Sequence, residues 1–124
     1  MRRWMLGLLA LAGLLGAAGV GAAALAAHGS AGPDLQIAAY FLLIHATAIA
    51  GIAGIAAQPR SGFLAAASIL ATGALLFCGD LALRALAGTR LFAMAAPAGG
   101  TLLILGWLTL TVASACALLS REAT

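Results

Sequence analysis

The chain has 124 residues, of which 65% are hydrophobic and 7% charged, and its mean hydropathy is +1.16. A water-soluble domain carries about 25% charged residues, so this composition excludes a solvated surface and leaves the bilayer as the solvent. Its formal charge of +3 comes from six arginines set against Asp34, Asp80 and Glu122, and none of them cluster into the basic face that a nucleic-acid partner requires.

A spanning helix needs about 20 apolar residues to cross roughly 30 Å of hydrocarbon, and four such runs follow one another. The first covers residues 4–27 and ends at His28-Gly29-Ser30. Arg2-Arg3 before it and Ala24-Leu25-Ala26 near its end are ingredients of a secretory or twin-arginine signal. A signal's apolar core spans only about 7–15 residues, whereas this run lasts a full membrane crossing, so it is read as a retained helix. The second run covers 35–57 after Gly32-Pro33-Asp34, with Asp34 expected as its N-cap. Gln58-Pro59-Arg60-Ser61-Gly62 reads as a turn. The third run, 63–86, is closed by Ala87-Gly88-Thr89-Arg90. Pro97 suits a first helical turn, so the fourth helix is expected over 96–119, with residues 91–96 along the interface. The expected fold is all-α, a single integral membrane bundle of four transmembrane helices with short loops.

With four spans, both termini and the second loop share one side, which collects Arg2, Arg3, Arg60 and Arg121; Arg84 and Arg90 fall on the other. By the positive-inside rule, both termini are expected in the cytoplasm, with the chain multi-pass in the plasma (inner) membrane of a bacterium. Helices in lipid associate through small residues that let backbones approach. Gly13, Ala17 and Gly21 form one such stripe, Ala46, Ala50 and Gly54 another, and Gly99-Gly100 should allow close approach at the start of the fourth helix. Packing within the chain is the favoured meaning of these stripes, ahead of a dimer face.

Four stretches, read in order, resemble a family of small four-helix membrane proteins called domain of unknown function 423, whose eukaryotic relatives are transmembrane protein 256. GAAALAAHG (21–29) is similar to the family's GAFGAHG-type end of helix one, and AAYFLLIHATAIA (38–50) to its tyrosine-then-histidine pattern, with Tyr40 and His45. LLFCGDLALRALAG (75–88) resembles an LFSGSLYxLAL-type segment, and APAGGTLLILGW (96–107) a TPxGGxxFxxGW one. The chain departs from the pattern at Cys78 and Asp80, where serines are frequent, and at Ala96, where threonine is. The resemblance implies a four-helix membrane protein with no established activity.

Ionisable groups inside a membrane cost about 2.5–3.5 kcal/mol each at mid-helix and so face the bundle interior. His45, Asp80 and Arg84 are the candidates. Asp80 and Arg84, four residues apart, share a helix face and make a local ion pair; Arg84 can snorkel towards water. At about 1.5 Å rise per residue, Asp80 lies roughly 10 Å below the outer boundary and His45 roughly 15 Å. Tyr40 and His28 stand on the same side, so His45, Asp80, Arg84, Tyr40 and His28 form one candidate outer-half polar cluster. Ser68 and Thr72 extend a thin polar stripe below Asp80, Trp4 suits the cytoplasmic aromatic belt, and Trp107 is expected to pack.

This cluster admits two readings: helix-to-helix hydrogen bonding, or a titrating His45 with Asp80 as partner. The first is favoured, because no chain of acidic residues crosses to the inner side. Small four-helix multidrug exporters carry a membrane-embedded glutamate in their first helix, and the first segment here has no acidic residue. No nucleophile–base set, HExxH or phosphate-binding glycine loop occurs, and Cys78 and Cys116 lie inside apolar runs. No catalytic residue, cofactor or metal is therefore expected, and the chain is not expected to be an enzyme. The function expected is that of a structural or accessory membrane component; the alternative is a small ion, proton or solute transporter built on His45 and Asp80. Its partners would be the lipid bilayer and a second copy or a larger membrane complex.

Overall fold

In a computed structural model of the chain, residues 1–55 and 61–122 are described. They form four helices and no strand: α1 Arg2–His28, α2 Gly32–Ile55, α3 Ser61–Ala87 and α4 Ala95–Glu122. Each is long and apolar enough to cross a membrane. All of them therefore satisfy their backbone groups internally, as a spanning segment must.

Local chemistry sets the ends. The chain leaves α1 through Gly29, whose N–H donates to the Leu25 carbonyl at 2.9 Å. Helix α2 starts two residues earlier than Asp34. Gly32 takes a φ of +73°, a left-handed conformation that suits glycine, and Pro33 follows with no amide proton to satisfy. Asp34 is thus inside the first turn, not at the cap, where its charge complements the helix dipole. The expected end of α2 at Ala57, and the turn residues Gln58, Pro59 and Arg60, lie outside the described residues. Ser61 and Gly62 of that turn open α3. Helix α3 closes on Gly88, at φ +66°, whose N–H reaches the Arg84 carbonyl at 3.1 Å. Residues 91–94 are non-helical, and Pro97 falls in the first turn of α4.

The helices pack in chain order, α1 on α2, α2 on α3 and α3 on α4, with a lesser contact of α1 on α3. Among the described residues, the backbone of α4 approaches only α3. Alanines dominate the core between the larger buried side chains Leu35, Ile49, Leu64, Leu70 and Cys78, which keeps the helix axes close.

The tightest seam is α3 on α4. A Cβ on Gly73 would stand 2.9 Å from the Leu103 nitrogen, one on Gly106 would stand 2.7 Å from Leu70, and one on Gly99 would run into the backbone of Phe77. Gly99 thus carries the close approach expected of Gly99-Gly100. On α1 the expected stripe is not the packing face: Gly13 and Gly21 have open space around them, and Ala17 is exposed. The buried face is Leu8, Ala12, Leu15 and Gly19. Leucines offer more contact area than alanines, and Gly19 lets the Leu42–Leu43 turn of α2 come close. On α2, Ala46 meets Gly16 as a packing residue, whereas Gly54 is exposed.

Candidate functional site

Two polar side chains are buried among the described residues, His45 and Asp80. His45 projects from the middle of α2. Its Nδ1 lies 2.8 Å from the Phe41 carbonyl oxygen. A carbonyl only accepts, so Nδ1 carries the hydrogen and Nε2 keeps its lone pair. That lone pair accepts the indole N–H of Trp107, at 3.3 Å, from α4. Both ring nitrogens are therefore used, and the pattern is that of the neutral imidazole. Aromatic rings enclose it: Phe41 stacks on it at 5.7 Å between centroids, Trp107 tilts against it at 6.1 Å, and Phe77 of α3 packs on Phe41 at 4.8 Å.

Asp80 sits on α3, two turns below its end. One carboxylate oxygen accepts the backbone N–H of Leu91 at 2.9 Å, in the connection to α4. The other is 3.1 Å from Nε of Arg84, one turn further along the same helix. That Nε is buried, and its N–H does not point along the line to the oxygen, so the contact is an ion pair without a hydrogen bond. The Arg84 side chain is 32% exposed, consistent with a head that extends towards the bilayer edge.

The other candidates stand apart. Tyr40 is exposed and accepts a 3.0 Å bond from Gln36 Nε2 on its own helix. His28 is exposed as the last residue of α1. Among the described residues, no hydrogen bond or ion pair joins His45 to Asp80, Arg84, Tyr40 or His28. The residues form two separate groups, His45 with Trp107 and the Asp80–Arg84 pair with Leu91. No three His, Cys, Asp or Glu side chains come together among the described residues.

The model of the family described as protein of unknown function DUF423 matches residues 15–100. The chain belongs to this family. No solved structure matches it. The matched stretch contains His28, Tyr40, His45, Asp80, Arg84 and Leu91, so both polar groups have members inside the family's domain; Trp107 lies beyond it.

Chemically, the arrangement in this family member ties helices together. Trp107 and the Leu91 amide are the partners that sequence reasoning did not assign. The signal for Trp107 is physical: an indole N–H at mid-membrane needs an acceptor, and His45 is the apolar interior's one neutral ring with a lone pair. Trp4 behaves similarly, donating its N–H to Ser68 Oγ of α3 at 2.9 Å. The Ser68 and Thr72 hydroxyls bond back to the carbonyls of Leu64 and Ser68 at 2.8 and 2.9 Å, as such hydroxyls do in apolar helices. The stripe below Asp80 therefore consists of locally closed groups.

Proposed function

We propose that this protein is a structural or accessory component of a bacterial plasma membrane, without catalytic activity, whose helices pack with one another and with a second copy or a larger membrane complex. The observation that carries this reading is saturation. Both nitrogens of His45 and both oxygens of Asp80 are engaged by partners of the same chain, which leaves neither group available as a proton or ion carrier in this arrangement. A transport site needs polar groups that can exchange partners across the bilayer, and here the hydroxyls between the two ends bond to their own helices. The distribution of arginines supports both termini in the cytoplasm.

The test is flux. Purified protein in liposomes is compared with His45→Ala and Asp80→Asn for proton and alkali-cation flux, alongside thermal stability in detergent. The accessory reading expects flux no greater than in protein-free liposomes, and a lower melting temperature for His45→Ala. Measurable flux in the wild type, abolished by both substitutions in folded protein, would overturn it in favour of a transporter.

A further inference from the structure

The connection between α3 and α4 holds an apolar sequence where a water-exposed loop would be polar. After Thr89 and Arg90 come Leu91, Phe92, Ala93 and Met94, and the side chains of Leu91, Phe92 and Met94 are 45%, 49% and 62% exposed. Its level in the bundle follows from two independent observations. The first is the register of the glycine seam. Along the antiparallel pair, Gly62 meets Ala113, Leu70 meets Gly106, and Phe77 meets Gly99. Four residues back from Gly99, the first residue of α4, Ala95, therefore stands beside the turn of α3 that contains Asp80. The second is the 2.9 Å bond from the Leu91 N–H to Asp80 Oδ1. Both place the far end of the connection, from Leu91 on, about 10 Å, seven residues of rise, below the last residue of α3. After the left-handed turn at Gly88, the chain doubles back along α3 instead of crossing above the bundle.

We propose that residues 88–94 form a re-entrant connection docked in phospholipid, with Leu91, Phe92 and Met94 against acyl chains and Asp80 as the tether that holds the segment at that depth. The occupant is lipid because these exposed apolar side chains belong to a bundle whose helices expose large apolar side chains as well, Leu75 and Leu86 of α3 and Ile104 of α4 among them. Arg84 on α3 and Arg90 just before the apolar run 91–94 bracket those apolar residues, so that their heads reach the phosphate layer while the apolar residues stay beneath it. A non-helical amide at membrane depth is tolerated only where protein satisfies it. Asp80 satisfies the one at Leu91, and the turn's Phe92 and Met94 carbonyls accept from the Ala95 and Ala98 N–H groups of α4 at 3.2 and 2.9 Å. This gives a buried carboxylate a task independent of any transport, and it holds whether or not the accessory reading does.

Depth measurement tests it. Cysteines are placed singly at Thr89, Phe92 and Met94 with Cys116→Ala, because Cys116 is exposed and the buried Cys78 does not label. The protein is spin-labelled and reconstituted in phosphatidylethanolamine–phosphatidylglycerol vesicles, and relaxation by oxygen is compared with that by a water-soluble nickel chelate. Labels at Phe92 and Met94 are expected to favour oxygen, and the label at Thr89 the chelate. Phe92 and Met94 labels as chelate-accessible as Thr89 would overturn the proposal. Asp80→Asn retains an oxygen for the Leu91 amide and is expected to leave the Met94 depth unchanged, whereas Asp80→Ala should raise its chelate accessibility several-fold. An unchanged depth in Asp80→Ala would remove Asp80 as the tether. If Asp80→Ala does not fold, the wild-type depth profile still decides whether the segment is docked.

Discussion

At the scale of single residues, the most consequential feature is how Asp80 is compensated. Its carboxylate is buried at 2% exposure, with Arg84 against one oxygen and a loop amide on the other. Removing one partner of a buried pair strands the other charge and costs more than neutralising both. Arg84→Leu is therefore expected to destabilise the protein by about 1–3 kcal/mol, reduced from the fully buried case because the guanidinium is one-third exposed. Asp80→Asn is expected to cost less, since the amide oxygen still accepts from Leu91 and only an exposed-edge arginine loses its partner. Unfolding titrations in mild detergent with increasing sodium dodecyl sulfate would measure both; Asp80→Asn at least as damaging as Arg84→Leu would show that the charge of the carboxylate, and not only its oxygen for the Leu91 amide, holds this end of the bundle. The Asp80–Arg84 spacing was visible in the sequence because four residues on a helix is a contact. The partners of His45 and Asp80 were not visible, because Trp107 and the Leu91 amide lie 62 and 11 residues away and nothing local marks which faces meet.

At the scale of elements, the four helices were legible and their packing faces were not. Hydropathy and punctuation by Gly, Pro and Asp place each span within a few residues. A helix that is apolar all round, however, carries no periodic contrast to mark its buried side. Small residues are so abundant that Gly13, Ala17 and Gly21 look as suitable as any other stripe, yet they are exposed while Leu8, Ala12, Leu15 and Gly19 are buried. The α3–α4 seam offers a sharp comparison between neighbouring glycines. A Cβ on Gly99 would meet backbone at Phe77, which no rotamer change can relieve, whereas one on Gly100 would be 3.8 Å from the Phe77 ring. Gly99→Ala is expected to cost about 1–3 kcal/mol by forcing α4 off α3. Gly100→Ala is expected to be neutral or slightly stabilising, as alanine is the better helix former by about 1 kcal/mol. Melting both variants in detergent checks the contrast, and equal loss in the two would mean the helices do not meet at Gly99.

At the scale of the whole molecule, the bundle is a series of antiparallel neighbours braced across by two tryptophans. Among the described residues, the only hydrogen bonds between one helix and another are Trp4 to Ser68, which ties α1 to α3, and Trp107 to His45, which ties α4 to α2. Each brace skips a helix, and the long indole is what makes that reach feasible. The two ties are not equivalent, because α1 has the body of α2 against it as well as α3, while α4 has a backbone neighbour only in α3. The seam with α3 is tight, but α4 is the least buried of the four helices, so its separation is expected to be the cheapest partial opening of the fold, and Trp107 is the group whose loss should lower its cost. Interhelical hydrogen bonds in membranes average about 0.6 kcal/mol and reach about 1.7. Trp107→Phe, which keeps a ring beside His45 but removes the N–H, should lie in that range. In hydrogen-exchange measurements on protein in nanodiscs, α4 amides are expected to exchange ahead of those in α1–α3, and Trp107→Phe should accelerate α4 about 3- to 18-fold with little change elsewhere. Trp4→Phe should leave that ratio alone. Uniform acceleration of all four helices by Trp107→Phe would mean that α4 does not open on its own, and that the bundle unfolds as one cooperative unit despite its serial packing.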